Sequence, residues 1–229
     1  MALEEYKEEL APFARGSSFS QVFKCLYYFQ LLKLSTQSHL KAVNFDPYGK
    51  VVTKKKLQAL VNLNYLKSHQ NEERGEPIFT TTKKNLQALE AYGYITLLLP
   101  AQSEGRGSKE SLYNTDEFVK ALHRQNFKAL LFPNFKYIIP DGLLVLADEG
   151  RYQLNFLEIE KPKPEWHQHL AIKKQNYKRL ARDPEVYRYW KKRAKLLSLP
   201  VNRETFKFRV LCIGNIKKDW DGWVFRESL

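Results

Sequence analysis

The stretch YIIPDGLLVLADEGRYQLNFLEIEKPKPEW, residues 137–166, constrains the fold more than any other part of the chain. Apolar runs at KYIIP, GLLVLA and YQLNFLEIE, the first two separated by Pro140–Asp141, predict three successive strands. Carboxylates interrupt them at unusual places. Asp141 stands between two apolar runs, and Glu158 and Glu160 fall in a strand that otherwise reads as buried. Strand side chains alternate between faces, so Glu158 and Glu160 point one way while Leu157, Ile159 and Lys161 point the other. Two like charges buried side by side raise each other's pKa and cost stability unless something positive lies between them. Either that strand face is exposed and its glutamates pair with ordinary surface cations, or the chain gathers a cation there on purpose.

The elements around this stretch set its context. YNTDEFVKALHRQNFKALLF predicts a helix with Phe118, Leu122, Phe127, Leu130 and Leu131 as its buried stripe. EWHQHLAIKKQNYKRLAR and PEVYRYWKKRAKLLSL predict two more helices, and ETFKFRVLCIG and GWVFR two more strands. The order α-β-β-β-α-(α)-β-β predicts an α/β layer with a mixed sheet covered on both faces. Trp166, Leu170, Tyr177 and either Leu180 or Ala181 share one stripe of the helix after the acidic strand. Lys173, three residues after Leu170 and four before Tyr177, falls inside it. A lysine on an inward stripe needs a partner, and the acidic cluster is one. Lys173 is therefore preferred to its neighbour Lys174, and to Lys161 on the opposite strand face.

The first half has a different rhythm. PAQSEGRGSKES, residues 100–111, is polar, has no apolar period and marks a boundary. The reading is a domain at 1–99, a linker at 100–112 and a second domain at 113–229. SSFSQVFKCLYYFQLLKL predicts a buried helix, and STQSHLKAVNF a second, capped by Ser35. DPYGKV reads as a turn. TKKKLQALVNLNYLKSH predicts a third helix, from Thr53 as its cap to about Asn64. A hairpin with its tip at Glu72–Pro77 and a helix ending at Gly93 follow. Helix, helix, helix, hairpin, helix is the order of a winged helix-turn-helix domain, whose second helix of the pair enters the DNA major groove. Lys54, Lys55, Lys56, Gln58 and Asn62 are then the outward candidates, and Arg74 at the hairpin tip a phosphate contact. Three lysines in a first helical turn oppose the helix dipole but suit a phosphate ligand. The plainer alternative is a helical domain with a solvated basic face, or a winged helix that binds protein.

Charge sharpens the choice of partner. The net charge is +13, and residues 161–229 hold 18 Lys and Arg against 7 Asp and Glu. The excess follows directly after the carboxylate stretch, and such asymmetry favours a polyanion, nucleic acid before a membrane surface. Arg188, Lys191, Lys192 and Lys195 form a candidate phosphate track. Cys25 and Cys212 sit singly in apolar runs, which suggests buried thiols in a reducing, cytoplasmic setting. MALEEYKEEL has no apolar core of a signal peptide, and no apolar run approaches the length of a membrane span. His123, His167 and His169 do not form a convincing metal set.

Pattern and skeleton together resemble the PD-(D/E)XK nuclease superfamily, through Pro140–Asp141 and the Glu158–Ile159–Glu160 triplet. That family usually ends the triplet in Lys, where this chain has Glu160. A winged helix-turn-helix followed by PDG, FLEIEK and HLAIKKQNYKRL further resembles the replication-relaxation family of plasmid replication and mobilisation proteins, over roughly residues 19–181. The Lys173–Tyr177 pair matches that family's helix, His123 matches a recurrent histidine, and Glu160 replaces an Asp. The resemblance implies an N-terminal winged helix-turn-helix and a restriction-endonuclease-like αβββαβ domain. It implies Mg2+ or Mn2+ held by Asp141, Glu158 and Glu160, with catalysis by these residues and Lys173. The expected activity is DNA endonuclease or nickase, relaxase-like, with Tyr177 the tyrosine nearest the site. DNA, a second copy of the chain and plasmid replication or mobilisation proteins are the expected partners. The rival expectation is a non-catalytic replication accessory protein or regulator that uses the same fold to grip DNA.

Overall fold

The computed structural model describes residues 1–43, 53–71, 74–100, 109–160, 166–201, 206–214 and 220–226. Lys161, the turn at 46–51 and most of the expected linker lie outside these. The chain forms two compact units, Met1–Val119 and Lys120–Leu229. The division falls inside a helix, later than the polar stretch at 100–112.

In the first unit α1 (Leu3–Ala14) precedes α2 (Phe19–Leu32). Ser18 caps α2 by accepting from the Gln21 backbone N–H, and the Gln21 side chain accepts from the Ser18 N–H in return. The dense apolar pattern of α2 buries Val22, Phe23, Cys25, Leu26 and Phe29 completely. β1 (Leu34–Ser35) leads to α3 (Gln37–Ala42), which is capped by Thr36 rather than by Ser35. Ser35 is instead paired in the sheet with Phe79. α4 (Lys54–Asn62) starts from the expected cap, Thr53. β2 (Leu66–His69), β3 (Ile78–Thr81) and α5 (Lys83–Ala91) complete an antiparallel sheet of order β1-β3-β2 covered by helices.

α6 (Lys109–Leu122) begins inside the linker expected at 100–112. Its Thr115 hydroxyl donates to the Leu34 carbonyl at 2.9 Å, and Leu112 packs with Leu34 and Ile78. Its burial is therefore against the first unit, which is why that unit extends to Val119. The helix does not continue to Phe132 as the periodicity suggested. Arg124–Phe127 turns, and Phe127–Leu131 is β4. Lys136–Pro140 forms no strand. The skeleton keeps the expected order because β4 takes the place assigned to KYIIP.

The second unit holds a five-stranded mixed sheet of order β4-β5-β6-β7-β8, with β5 (Gly142–Asp148), β6 (Arg151–Ile159), β7 (Phe206–Ile213) and β8 (Trp223–Arg226). β5 and β6 form an antiparallel hairpin, and β6, β7 and β8 run parallel. The parallel step from β6 to β7 needs a crossover, which α7 (Trp166–Leu180) and α8 (Pro184–Leu196) supply. α8 buries Val186, Trp190 and Ala194 and leaves Arg188, Lys191, Lys192 and Lys195 exposed on one face.

Candidate functional site

β6 is the central strand of its sheet, so its side chains are covered and Glu158 is 1% exposed. Asp141 lies just before β5, and its backbone N–H donates to the Leu157 carbonyl at 3.0 Å. That bond extends the β5–β6 ladder by one step and sets Asp141 beside Glu158. The Asp141 carboxylate accepts from the Ile159 N–H at 2.7 Å through Oδ2. Asp141 is thus more than an ordinary turn residue: it caps the end of the acidic strand.

The face alternation predicted for Glu158 and Glu160 is confirmed by their common partner. The Lys173 ammonium donates to both, to Oε2 of Glu158 and to Oε1 of Glu160. One turn further along α7, the Tyr177 hydroxyl donates to the other Glu158 oxygen at 2.6 Å. Both oxygens of the buried glutamate are therefore satisfied, which such a group requires. The i,i+4 spacing of Lys173 and Tyr177 places two donors on one face of α7, and that face packs on β6, with the Tyr177 ring 5.8 Å from Phe156.

Burial pushes the Glu158 carboxyl up to about 7, and the Asp141 charge adds to the rise, against the lowering by Lys173 and Tyr177. Burial alone would lower the Lys173 ammonium, but the charge and hydrogen bonds of the two glutamates outweigh it and raise its pKa. Burial and Glu158 hold the Tyr177 phenol well above its ordinary value. A hydroxyl on a residue that is 2% exposed, protonated and committed to a carboxylate is poorly suited to attack DNA. Cys212, opposite Glu158 in the parallel register, is pushed up to about 12 by burial and then by Glu160 and Glu158, so it is an inert thiol. Cys25 is likewise buried, and its sulfur is not in a disulfide.

The geometry separates the lysine candidates. Lys173 meets the carboxylates, whereas Lys174 sits over the Trp220 ring, 4.2 Å from its centroid. His123 is exposed just after α6, and His169 is exposed on α7. Among the described residues no group of three or more His, Cys, Asp or Glu side chains is placed to hold a metal. The Lys173 ammonium stands where the two glutamates converge. Asp141 and Glu158 nevertheless offer two adjacent carboxylates, and Mg2+ needs only one or two beside water and phosphate.

Gly214 was not visible as a site residue in the sequence. Its φ is +150°, and a Cβ there would stand 2.4 Å from the Glu160 carbonyl oxygen. The Glu160 N–H donates to the Ile213 carbonyl at 2.8 Å, so the two chain segments touch where Glu160 leaves the sheet. Only the parallel register of β6 and β7 exposes this requirement, and no local signal in the sequence carries it.

The basic residues of the first unit divide. Lys54 and Lys55 are exposed at the start of α4, a turn with no acidic residue. Lys56 instead donates to the Arg15 carbonyl at 3.1 Å and lies over the Phe13 ring. Gln58 donates to Asn62 at 3.0 Å along the exposed face. Arg74 is held by Asp116 of α6, at 3.1 Å for one of its hydrogen bonds, and Asp116 also accepts from the His39 ring at 2.8 Å. Burial works to raise the Asp116 pKa, but Arg74 and His39 outweigh it and lower it.

No family model, curated protein or solved structure matches this chain. Among the described residues no helix is long and apolar enough to cross a membrane.

Proposed function

We propose that this protein binds DNA and cleaves one of its strands as a Mg2+- or Mn2+-dependent endonuclease or nickase of the PD-(D/E)XK type, resembling the replication-relaxation proteins of plasmid replication and mobilisation. One observation carries the reading. A glutamate 1% exposed on a central strand is held by an inward lysine and a tyrosine, next to an aspartate that caps the same strand. A cluster of this cost, built at a strand end, is common at functional sites.

Asp141 and Glu158 would hold the ion, with Glu160 completing the shell. The ion would supply charge for the scissile phosphate and an acidified water. Tyr177 fixes the Glu158 carboxylate through its hydroxyl. Lys173, once released from the glutamates, is placed to stabilise charge growing on the phosphate. Where it does not complete the shell, Glu160 is the candidate to accept the water's proton. α2, β1, α3, α4 and the β2–β3 hairpin would serve as a winged helix-turn-helix, with Lys54 and Lys55 as its exposed cations, Gln58 and Asn62 on the same helix, and Arg188, Lys191, Lys192 and Lys195 as a second phosphate track. The test is conversion of supercoiled plasmid to open circles in Mn2+ by the wild type, lost in Asp141→Ala. No product with any divalent metal would refute catalysis.

A second reading has its own support. Lys173 already neutralises both glutamates without any metal. On that reading the cluster is a structural staple, and the protein is a DNA-binding replication accessory factor or regulator.

A further inference from the structure

A cleft of about 420 Å³ opens beside α7, within the common size range of ligand sites. Lys174 and Lys178, one helical turn apart, line it together with Arg182 from the turn after α7. β7, β8 and the loop before β8 supply the other lining residues, which include Asp221 and Trp223. Three cations against one carboxylate make the cleft positive. Trp223 is partly exposed within it. Tyr177 lines the same cleft while its hydroxyl donates to Glu158 at 2.6 Å, so the cleft adjoins the carboxylates through a single side chain.

From this juxtaposition we infer that the cleft binds single-stranded DNA, with phosphates on Lys178 and Arg182 and an unpaired base against Trp223. The chemistry is that of single-strand binders: a cationic groove follows the backbone, and an aromatic surface takes the face of a base. A duplex keeps its base faces stacked and offers Trp223 nothing. Lys174 is committed in part to the Trp220 ring, so the phosphates are assigned to Lys178 and Arg182. The inference rests on the DNA-binding reading above and adds the form of DNA the second unit takes. It implies that the strand reaching Asp141 and Glu158 is unpaired next to the cleft.

The test measures binding of a fluorescent oligothymidylate and of a duplex of equal length by the full chain, in EDTA so that cleavage does not interfere. The single strand should bind more tightly and quench tryptophan fluorescence, and Trp223→Phe should remove most of the quenching. Trp223→Leu should weaken single-strand binding by roughly 5- to 150-fold, the range expected for one stacked base, and leave duplex binding unchanged. Trp223 packs on Trp220, Phe225 and Tyr177, so this variant is read together with an exposed one. Lys178→Glu with Arg182→Glu should lower single-strand affinity and flatten its salt dependence by about 0.7 per lost phosphate contact. Equal or tighter duplex binding, or single-strand affinity indifferent to the double variant, would overturn the inference. A chain that nicks plasmid but shows no single-strand preference refutes the cleft and spares the catalytic reading. A chain that selects single strands and cuts nothing does the reverse.

Discussion

The two units present positive charge in opposite ways. On α4, Lys54 and Lys55 stand in solvent, in a first turn with no acidic residue. On α7, Lys173 is turned inward and shared between Glu158 and Glu160. The exposed lysines cost the fold little and gain it little. The inward lysine is bound to a glutamate that could not stay charged at low cost without it. A surface of the first kind recruits polyanions through long-range attraction. A cluster of the second kind stores a large electrostatic cost at one point, and only there can a ligand cation or phosphate change the balance of charges decisively.

Substitutions should separate the two regions by size of effect. The largest is expected for Lys173→Ala, which strands Glu158 without its cation; breaking a buried pair costs about 3 kcal/mol or more, measurable by urea unfolding. Combining it with Glu158→Gln should recover much of that loss, and no recovery would mean that Lys173 matters through packing alone. Gly214→Ala comes next, because the new methyl group collides with the Glu160 carbonyl in a left-handed backbone conformation. A loss of about 1–3 kcal/mol is expected, together with impaired activity. Tyr177→Phe removes one hydrogen bond to a charged acceptor and should cost about 1.5 kcal/mol. Lys54→Ala and Lys55→Ala should each change stability by less than about 0.5 kcal/mol, yet each should reduce the salt slope of duplex binding by about 0.9. If they destabilise as much as the α7 substitutions, the contrast between the units fails.

Proton linkage provides another check. Glu158 has an ordinary value of 4.5 and is raised to about 7 in the fold. Its proton is therefore bound more tightly when folded. The contribution of this group to stability is fully present below pH 4.5 and is lost as the pH rises through 7. Thermal unfolding of wild type against Glu158→Gln across that window should show it, with the wild type losing ground as the pH rises. A difference that is flat with pH would mean that Glu158 keeps an ordinary value in the fold.

The legible parts of this fold are those where chemistry conflicts with pattern. Glu158 and Glu160 in an apolar strand, and Lys173 in an apolar helical stripe, each break a local rule, and each finds its reason in the other. Thr53 and the crossover helices were legible through caps and periodicity. Phe127–Leu131 was not, because a short apolar run satisfies helix and strand periods alike, and the turn at Arg124–Phe127 contains neither Gly nor Pro. Ser35 and Thr36 are both good caps, and only the pairing of Ser35 with Phe79 decides between them. The place of α6 depends on which surface buries Leu112 and Thr115, and its own sequence does not say which. Gly214 and the cleft beside Trp223 exist only once β6, β7 and β8 lie side by side.

The central claim is that Glu158 gives up the Lys173 ammonium and shares a divalent cation with Asp141. Calorimetric titration of Mn2+ into the wild type and Asp141→Ala, above pH 7 where Glu158 is ionised, tests it most directly. The account predicts saturable binding by the wild type that Asp141→Ala abolishes. Absence of binding by a folded wild type, or equal binding by both, would contradict it.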